Sequence, residues 1–188
     1  MKYICMILLL IFFTSNLHGQ KTDVIIHVDD GYKPFSYKEN DQAKGIYVKI
    51  LKAAFSQMKN FNVKIVPIPW NRGKKMMKEG DGFGLAPAFF HAHDWFYLYP
   101  YSLPFYTETI VAVCTQAVLK QKRANWPQDY QGLTIGNVAG FDGWGGKLFR
   151  TFVKEGKIKY RTTNTSEALI KMLTRKRHDC IMMEKLAF

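Results

Sequence analysis

The segment VKIVPIPWNRGKKMMKEG at residues 63–80 places a strand directly before a helix. Val63–Ile68 has the β-branched composition that is typical of a strand, and Pro69 closes it. Asn71–Glu79 follows as a short basic helix, and Gly80 is a stop signal because glycine tolerates the left-handed conformation at a helix end. A strand that leads straight into a helix predicts one unit of an α/β fold.

The same alternation extends on both sides of this unit. Before it, Val24–Val28 is a strand-like run that ends in a turn signal at residues 29–31, and apolar residues at 48, 51, 55 and 58 fit one helical face. After it, strand-like runs occur at residues 83–89 and 109–115. The alternation predicts α/β layers with largely parallel sheets.

A polar stretch at residues 120–131 interrupts the alternation, which then restarts. Strands are predicted at 133–138, 158–160 and 180–183, and helices at 143–155 and from Ser166, whose hydroxyl is expected to cap its helix. The restart predicts two lobes. Ligands of α/β sheets bind outside the carboxyl ends of the strands, so the expected site is the cleft between the lobes.

The N-terminus has the pattern of a secretory signal peptide. Lys2 precedes the apolar run Ile4–Phe13, which is about half as long as the ~20 residues that span a bilayer. Gly19 offers a small residue for cleavage, and an uncleaved anchor is the alternative. We expect 1–19 as signal peptide, 20–108 as the first lobe and 109–188 as hinge strand and second lobe, with the mature chain in the periplasm.

Composition narrows the function classes. Hydrophobic residues make up 47% of the chain, enough for a proper core, and the net charge is +12. The basic balance is consistent with a solvated surface, or with an anionic ligand or membrane face. The sequence has neither zinc-finger spacing nor an RNA-binding aromatic signature, so we expect no nucleic-acid partner.

Two cysteines, Cys114 and Cys180, remain once Cys5 leaves with the signal peptide. In an oxidising compartment they could pair. Both lie in apolar strand-like runs where buried free cysteine is common, so the expectation is free thiols. No clustered cysteines or histidines indicate a metal site, and no cofactor is expected.

Several short motifs, in order along the chain, resemble bacterial extracellular solute-binding proteins of family 3, the periplasmic amino-acid-binding proteins of ABC importers. They are GYKPF (31–35), GIYV (45–48), WNR (70–72), YSLPF (101–105), LTIG (133–136) and RHDCI (177–181). The resemblance implies a two-lobed α/β fold of the type II periplasmic-binding-protein-like class that closes on its ligand. In the family the chain later returns to the first lobe. This chain stops near that point, so we expect a C-terminally truncated protein with exposed apolar surface on the first lobe.

The resemblance also implies the function. It predicts a monomeric periplasmic solute-binding protein that captures a small polar ligand, an amino acid or a related charged metabolite, and delivers it to the membrane permease of an ABC importer. Two alternatives remain open: a periplasmic sensory or signalling module with the same fold, and a small periplasmic dehydratase.

Some ligand-binding candidates follow from family positions. The family has an arginine that would fall at Trp95 in this chain, so the expected carboxylate-binding cation is absent there, and Trp95 itself is the ligand-binding candidate at that position. Arg72, after the strand that ends before Trp70, is the substitute candidate. Glu184 matches an acidic position that contacts the ligand's amino group, and Tyr32 matches a position that packs on the ligand.

Further candidates come from their residue types. Trp70, Phe89 and Phe141 offer aromatic faces that can stack a ring or hold a cation. Gly140 begins a glycine-rich turn whose backbone N–H groups could contact the ligand. His91 and His93 share the spacing of metal ligands on a strand, but without a third ligand they are interpreted as a solvated loop. No catalytic motif is present, and we expect a binding protein rather than an enzyme.

Overall fold

The computed structural model describes residues 20–91, 94–104 and 106–187. The predicted signal peptide and His93 therefore lie outside the described residues. The strands are β1 (Thr22–Asp29), β2 (Gly31–Tyr32), β3 (Ser36–Glu39), β4 (Gln42–Lys44), β5 (Phe61–Ile68), β6 (Gly84–Ala86), β7 (Ile110–Cys114), β8 (Thr134–Val138), β9 (Lys159–Thr163) and β10 (Cys180–Glu184). The helices are α1 (Ile46–Ser56), α2 (Trp70–Glu79), α3 (Gln116–Leu119), α4 (Gly146–Lys154) and α5 (Ser166–Thr174). The predicted α/β class is confirmed.

The first lobe is built on a parallel sheet with strand order β5-β1-β6. On one face, Val28 and Val48 form a small core with α1. On the other face α2 approaches so closely that a Cβ at Gly73 would lie 2.5 Å from the Leu85 side chain. Helix α2 ends at Gly80 with φ 81°, which confirms the predicted stop.

The second lobe is built on a sheet with strand order β7-β10-β8-β9, in which only β7 is antiparallel to its neighbour. Ile135 and Ile181 are fully buried in it, and Leu169 of α5 packs against them. Helix α4 begins at Gly146 rather than at residue 143, because Gly145 and Gly146 both have left-handed φ values, 88° and 82°.

The chain crosses from the first lobe to the second at Thr109 and enters β7. Strand β10 runs back antiparallel to β7, so that Glu184 lies opposite Ile110. The Lys185 N–H then donates to the Thr109 carbonyl at 2.9 Å. The end of β10 is thus returned to the crossing point between the lobes.

The expectation of free thiols is wrong, because Cys114 and Cys180 form a disulfide. They are directly opposite each other on the antiparallel strands β7 and β10, with their Cα atoms 4.0 Å apart. Strand pairing between segments 66 residues apart in sequence supplies this proximity.

The expected cap of α5 is one residue out of place. Thr165 is the N-cap, since its hydroxyl accepts a hydrogen bond from the Ala168 N–H at 3.2 Å. Its backbone is extended, with φ −143° and ψ 156°, whereas Ser166 is already the first residue of the helix.

Large apolar side chains are exposed on the first lobe, among them Ile25 on β1, Phe61 at the start of β5, and Phe83. None of the described helices combines the length and the apolar character that crossing a bilayer requires.

Candidate functional site

Six aromatic rings meet between the two lobes and form what we call the aromatic cleft. They belong to Tyr32, Trp70, Phe89, Trp95, Phe141 and Trp144. The first four come from the first lobe, and the last two from the loop after β8. The hollow left among them is about 10 Å³, room for about one water molecule.

Most of these rings contact one another edge to face. Phe141 lies 4.9 Å from Trp144 and 5.2 Å from Tyr32, measured between ring centroids. Phe89 meets Trp144 at 5.9 Å with the ring planes perpendicular. This geometry brings the positive edge of one ring to the negative face of the next, which stabilises the closed cleft.

The parallel strands explain why these rings converge. Tyr32 follows β1, Trp70 follows β5 and Phe141 follows β8, each just past the carboxyl end of its strand. Carboxyl ends of parallel strands share one edge of a sheet, and these two edges face each other. Five predicted residues are thereby brought together: Tyr32, Trp70, Phe89, Trp95 and Phe141.

Polar contacts across the cleft meet at Gly140. Its carbonyl accepts from Trp70 Nε1 at 3.1 Å and from Lys74 Nζ at 2.9 Å. Lys74 also pairs with Asp142 at 2.7 Å. Gly140 has φ 88°, and a Cβ there would lie 2.2 Å from Asn71 Oδ1, so only glycine fits this approach of the lobes.

A second contact closes the neighbouring edge of the cleft. Lys33 of the first lobe donates to Glu167 of α5 at 2.6 Å, with both side chains half exposed. A Cβ at Gly31 would touch Thr165 at 3.0 Å, which shows how near the backbones lie. The described conformation is therefore closed.

Replacing Lys74 by Met should lower the free energy of unfolding by about 1.5 kcal/mol, because the Gly140 carbonyl and Asp142 lose a charged donor. Lys75→Met is the matched control on the same helix, since Lys75 is exposed and lies 3.8 Å from Glu79. Urea denaturation of both variants measures the difference. Equal stabilities would contradict a role for Lys74 in holding the lobes together.

Asp29 is the ionisable side chain that lines the aromatic cleft. It ends β1, is 3% exposed, and its Oδ1 accepts from the Gly31 N–H at 2.8 Å. Burial raises the pKa of the Asp29 carboxyl to about 7; the Gly31 hydrogen bond lowers this pKa, and the neighbouring Asp30 charge raises it further. A carboxyl group at the carboxyl end of the central strand is well placed to meet a ligand.

Glu108 lies behind the cleft and fixes two tyrosines. Its oxygens accept from the Tyr32 hydroxyl at 2.5 Å and from the Tyr47 hydroxyl at 2.6 Å. Burial raises the pKa of Glu108, while the two tyrosine hydroxyls lower it. Because the Tyr32 hydroxyl is held at Glu108, its ring is fixed where it meets Phe141.

Glu184 does not line the cleft. It is 1% exposed and accepts hydrogen bonds from the backbone N–H groups of Thr109 at 3.4 Å and of Leu186 at 2.5 Å. It therefore joins the two chain segments at the crossing point. Its predicted contact with a ligand amino group stays a prediction.

Arg72 also lies away from the cleft and is exposed. Burial lowers the pKa of His27 on β1, and the Arg72 charge lowers it further. The predicted role of Arg72 as a carboxylate-binding cation stays a prediction. Among the described residues that line the cleft, none is lysine or arginine.

Three residues of the site were missed from the sequence: Asp29, Glu108 and Trp144. Asp29 lies in a turn signal directly after a strand, and Trp144 lies in the glycine-rich turn, so the sequence could have identified both as candidates. No sequence pattern indicated Glu108. His91 packs 4.4 Å from Trp95, and in the described part of the chain no group of three or more histidine, cysteine, aspartate or glutamate residues is arranged to hold a metal.

Sequence comparison locates a family match in the first lobe. Residues 24–82 match the model of bacterial extracellular solute-binding proteins, family 3. No curated protein sequence matches the chain significantly.

Solved structures resemble the fold over most of the chain. An ancestral arginine-binding protein bound to arginine has TM-score 0.72 and 12% identity, covering 89% of this chain and 72% of its own. A substrate-binding protein of an ABC uptake transporter from Streptococcus pneumoniae with bound histidine has TM-score 0.70 and 16% identity, covering 88% and 67%. A structure concerning glutathione import via GshT and the cystine ABC importer TcyBC of Streptococcus mutans has TM-score 0.72 and 18% identity, covering 89% and 70%.

The TM-scores of these structures support the fold, and the family model adds the sequence pattern of the first lobe. The resemblance inferred from the motifs is therefore confirmed: residues 24–82 match bacterial extracellular solute-binding proteins of family 3, and the chain has the two-lobed α/β fold of type II periplasmic binding proteins.

Proposed function

We propose that this protein is a periplasmic solute-binding protein that captures a small charged ligand between its lobes for a membrane permease of an ABC importer. The supporting observation is the aromatic cleft, which lies at the carboxyl ends of β1, β5 and β8 where the two sheets face each other. The family match and the solute-binding structures of the same fold support the same role.

Binding rather than catalysis fits the chemistry of the cleft. Asp29 is its carboxylic lining residue, and the other described lining residues are aromatic side chains, including the phenol of Tyr32, a proline and a glycine. A hydrolase or lyase site would need a nucleophile or an acid–base pair within hydrogen-bond reach. The cleft instead offers a shaped apolar wall with one buried carboxyl group, which suits recognition.

Ligand capture requires the lobes to part and close again. The hollow of about 10 Å³ is too small for an amino acid, so Phe141 and Trp144 must move away from Tyr32 to admit one. The contacts of Lys74 and Trp70 with Gly140 then form again around the ligand. A ligand with higher affinity for the closed state shifts the population toward it.

The first test is thermal unfolding of the full chain with amino acids, methylated and unmethylated amines and small acids. A ligand at 100 times its Kd should stabilise the native state by about 2.7 kcal/mol, roughly 5–10 °C in Tm for a chain of this size. Glycerol and sodium chloride at matched osmolality serve as controls. If every compound of this panel leaves Tm unchanged, the proposal fails and a module that senses through a protein partner is favoured.

A further inference from the structure

We propose that the aromatic cleft binds a small organic cation whose nitrogen carries methyl groups and which also bears an oxygen acceptor, with Asp29 as its counter-charge. This inference rests on the proposed function and names the class of ligand. It is carried by the rings, the charges and one unpaired donor of the cleft.

The walls of the cleft suit a cation. Trp70 meets Phe141 at 6.3 Å and Trp95 at 6.2 Å between centroids, so the ring system continues around the hollow. Aromatic faces carry negative charge density and attract cations, tryptophan most strongly. Rings from both lobes can enclose such a ligand on several sides when the cleft closes.

Carboxyl groups line and back the cleft, and the Nζ of Lys74 lies 4.8 Å from the centroid of the Trp95 ring. Asp29 lines the hollow, while Glu108 and Glu184 are buried behind Tyr32. Lys74 lies at the rim, but its charge is already paired with Asp142 at 2.7 Å. A ligand that presents a lone carboxylate would therefore enter a hollow with no free cation among its described lining residues.

A methylated nitrogen fits better than a free ammonium. An ammonium group brings several N–H donors, and each donor buried without an acceptor costs free energy. Asp29, with Oδ1 already accepting from Gly31, is the carboxyl group that lines the hollow. Methyl groups need no acceptor and pack against the rings, so one buried carboxylate suffices to balance the charge.

The requirement for an oxygen acceptor on the ligand follows from the side chain of Trp144. Its Nε1 is buried and has no hydrogen-bond partner in the part of the chain that the structure describes, and the whole residue is only 7% exposed. Trp144 lines the hollow, so an acceptor on the ligand can satisfy this unpaired donor. A carboxylate or hydroxyl oxygen a few bonds from the cationic nitrogen meets this need.

Isothermal titration calorimetry of the full chain tests the inference with four probes: glycine betaine, choline chloride, glycine, and the uncharged isostere 3,3-dimethylbutan-1-ol. We expect glycine betaine and choline to bind, and the uncharged alcohol and glycine to bind at least tenfold more weakly. This comparison uses the unaltered chain and does not depend on any variant folding.

Two variants assign the roles. Asp29→Asn should weaken choline binding at least tenfold, whereas Asp23→Asn, at the exposed far end of the same strand, should leave it unchanged. Trp144→Phe keeps a ring but removes the N–H, so it should weaken glycine betaine more than tetramethylammonium, which has no oxygen acceptor.

The outcomes separate this inference from the proposed function. If the uncharged alcohol binds as tightly as choline, or if glycine or another unmethylated amino acid binds while the methylated cations do not, the ligand class is wrong and the solute-binding role stands. If the methylated cations fail and no compound raises Tm, both proposals fail.

Discussion

Replacing Cys114 and Cys180 together by alanine lowers the free energy of unfolding by about 4 kcal/mol. The bond joins residues 66 positions apart, and a cross-link over a loop of this length removes about that much conformational entropy from the unfolded chain. The bond also joins neighbouring strands of the second lobe, β7 and β10, at the end of the pair opposite the crossing point, so its loss frees that end of the edge strand β7.

Urea denaturation measures this loss, with and without a reducing agent. Reduction of the unaltered chain should reproduce the stability of the double variant, and the variant itself should not respond to the reductant. A difference below about 1 kcal/mol between the oxidised chain and the variant would mean that the loop is already restrained in the unfolded state.

Asp29→Asn should stabilise the ligand-free protein at pH 8 by up to about 4 kcal/mol and change it little near pH 4. Burial raises the pKa of Asp29 from 3.8 to about 7 in the folded state, so the unfolded chain loses this proton first as the pH rises. The stability contributed by protonated Asp29 is thus lost between about pH 4 and pH 7, at 1.36 kcal/mol per unit of pKa difference. Asparagine stays neutral and can still accept from the Gly31 N–H.

The measurement is the free energy of unfolding of both proteins in steps from pH 4 to pH 8. Because other groups titrate in the same range, the difference between the two curves carries the information. Asp23→Asn, whose carboxyl lies at the exposed end of the strand, should give a curve parallel to that of the unaltered chain. A parallel curve for Asp29→Asn would show that the Asp29 carboxyl is either exposed to water or balanced by a counter-charge in the folded protein.

Much of the fold follows from the alternation of strand-like and helix-like segments. The run predicted at residues 83–89 is shorter in the structure, where β6 covers only Gly84–Ala86. Pro87 has no N–H to continue the ladder, so the strand stops before it. Local chemistry of this kind is readable in the sequence. The pairing of Cys114 with Cys180 is not, because it depends on which strands become neighbours.

The candidate site, like the fold, was predicted from the sequence only in part. Tyr32 was predicted from a family position, and Trp70 and Phe141 from their aromatic faces, and all three meet in the cleft. Arg72 was predicted as a cation from its place after the strand that ends before Trp70, but it lies on another side of α2. Two residues along a helix turn by about 200°, which points Arg72 away when Trp70 points inward. Residues three and four beyond Trp70, Gly73 and Lys74, share its side instead.

Asp29 and Trp144 show that the sequence does not predict which distant residues come together at the site. They are 115 positions apart, and they come to line one hollow only because the two lobes close on each other. No local pattern encodes that closure. It arises from contacts between the lobes, among them those of Trp70 and Lys74 with the backbone of Gly140, the Lys33–Glu167 pair and the ring contact of Tyr32 with Phe141.

The distribution of indole rings gives the protein its own optical signal. Of the four tryptophans in the chain, Trp70, Trp95 and Trp144 line the cleft, while Trp126 stacks on Phe149 within the second lobe. Parting of the lobes would bring water to the three cleft indoles and shift their emission to longer wavelength. The lobes therefore report their own movement through intrinsic fluorescence, and no attached dye is needed to follow opening in real time.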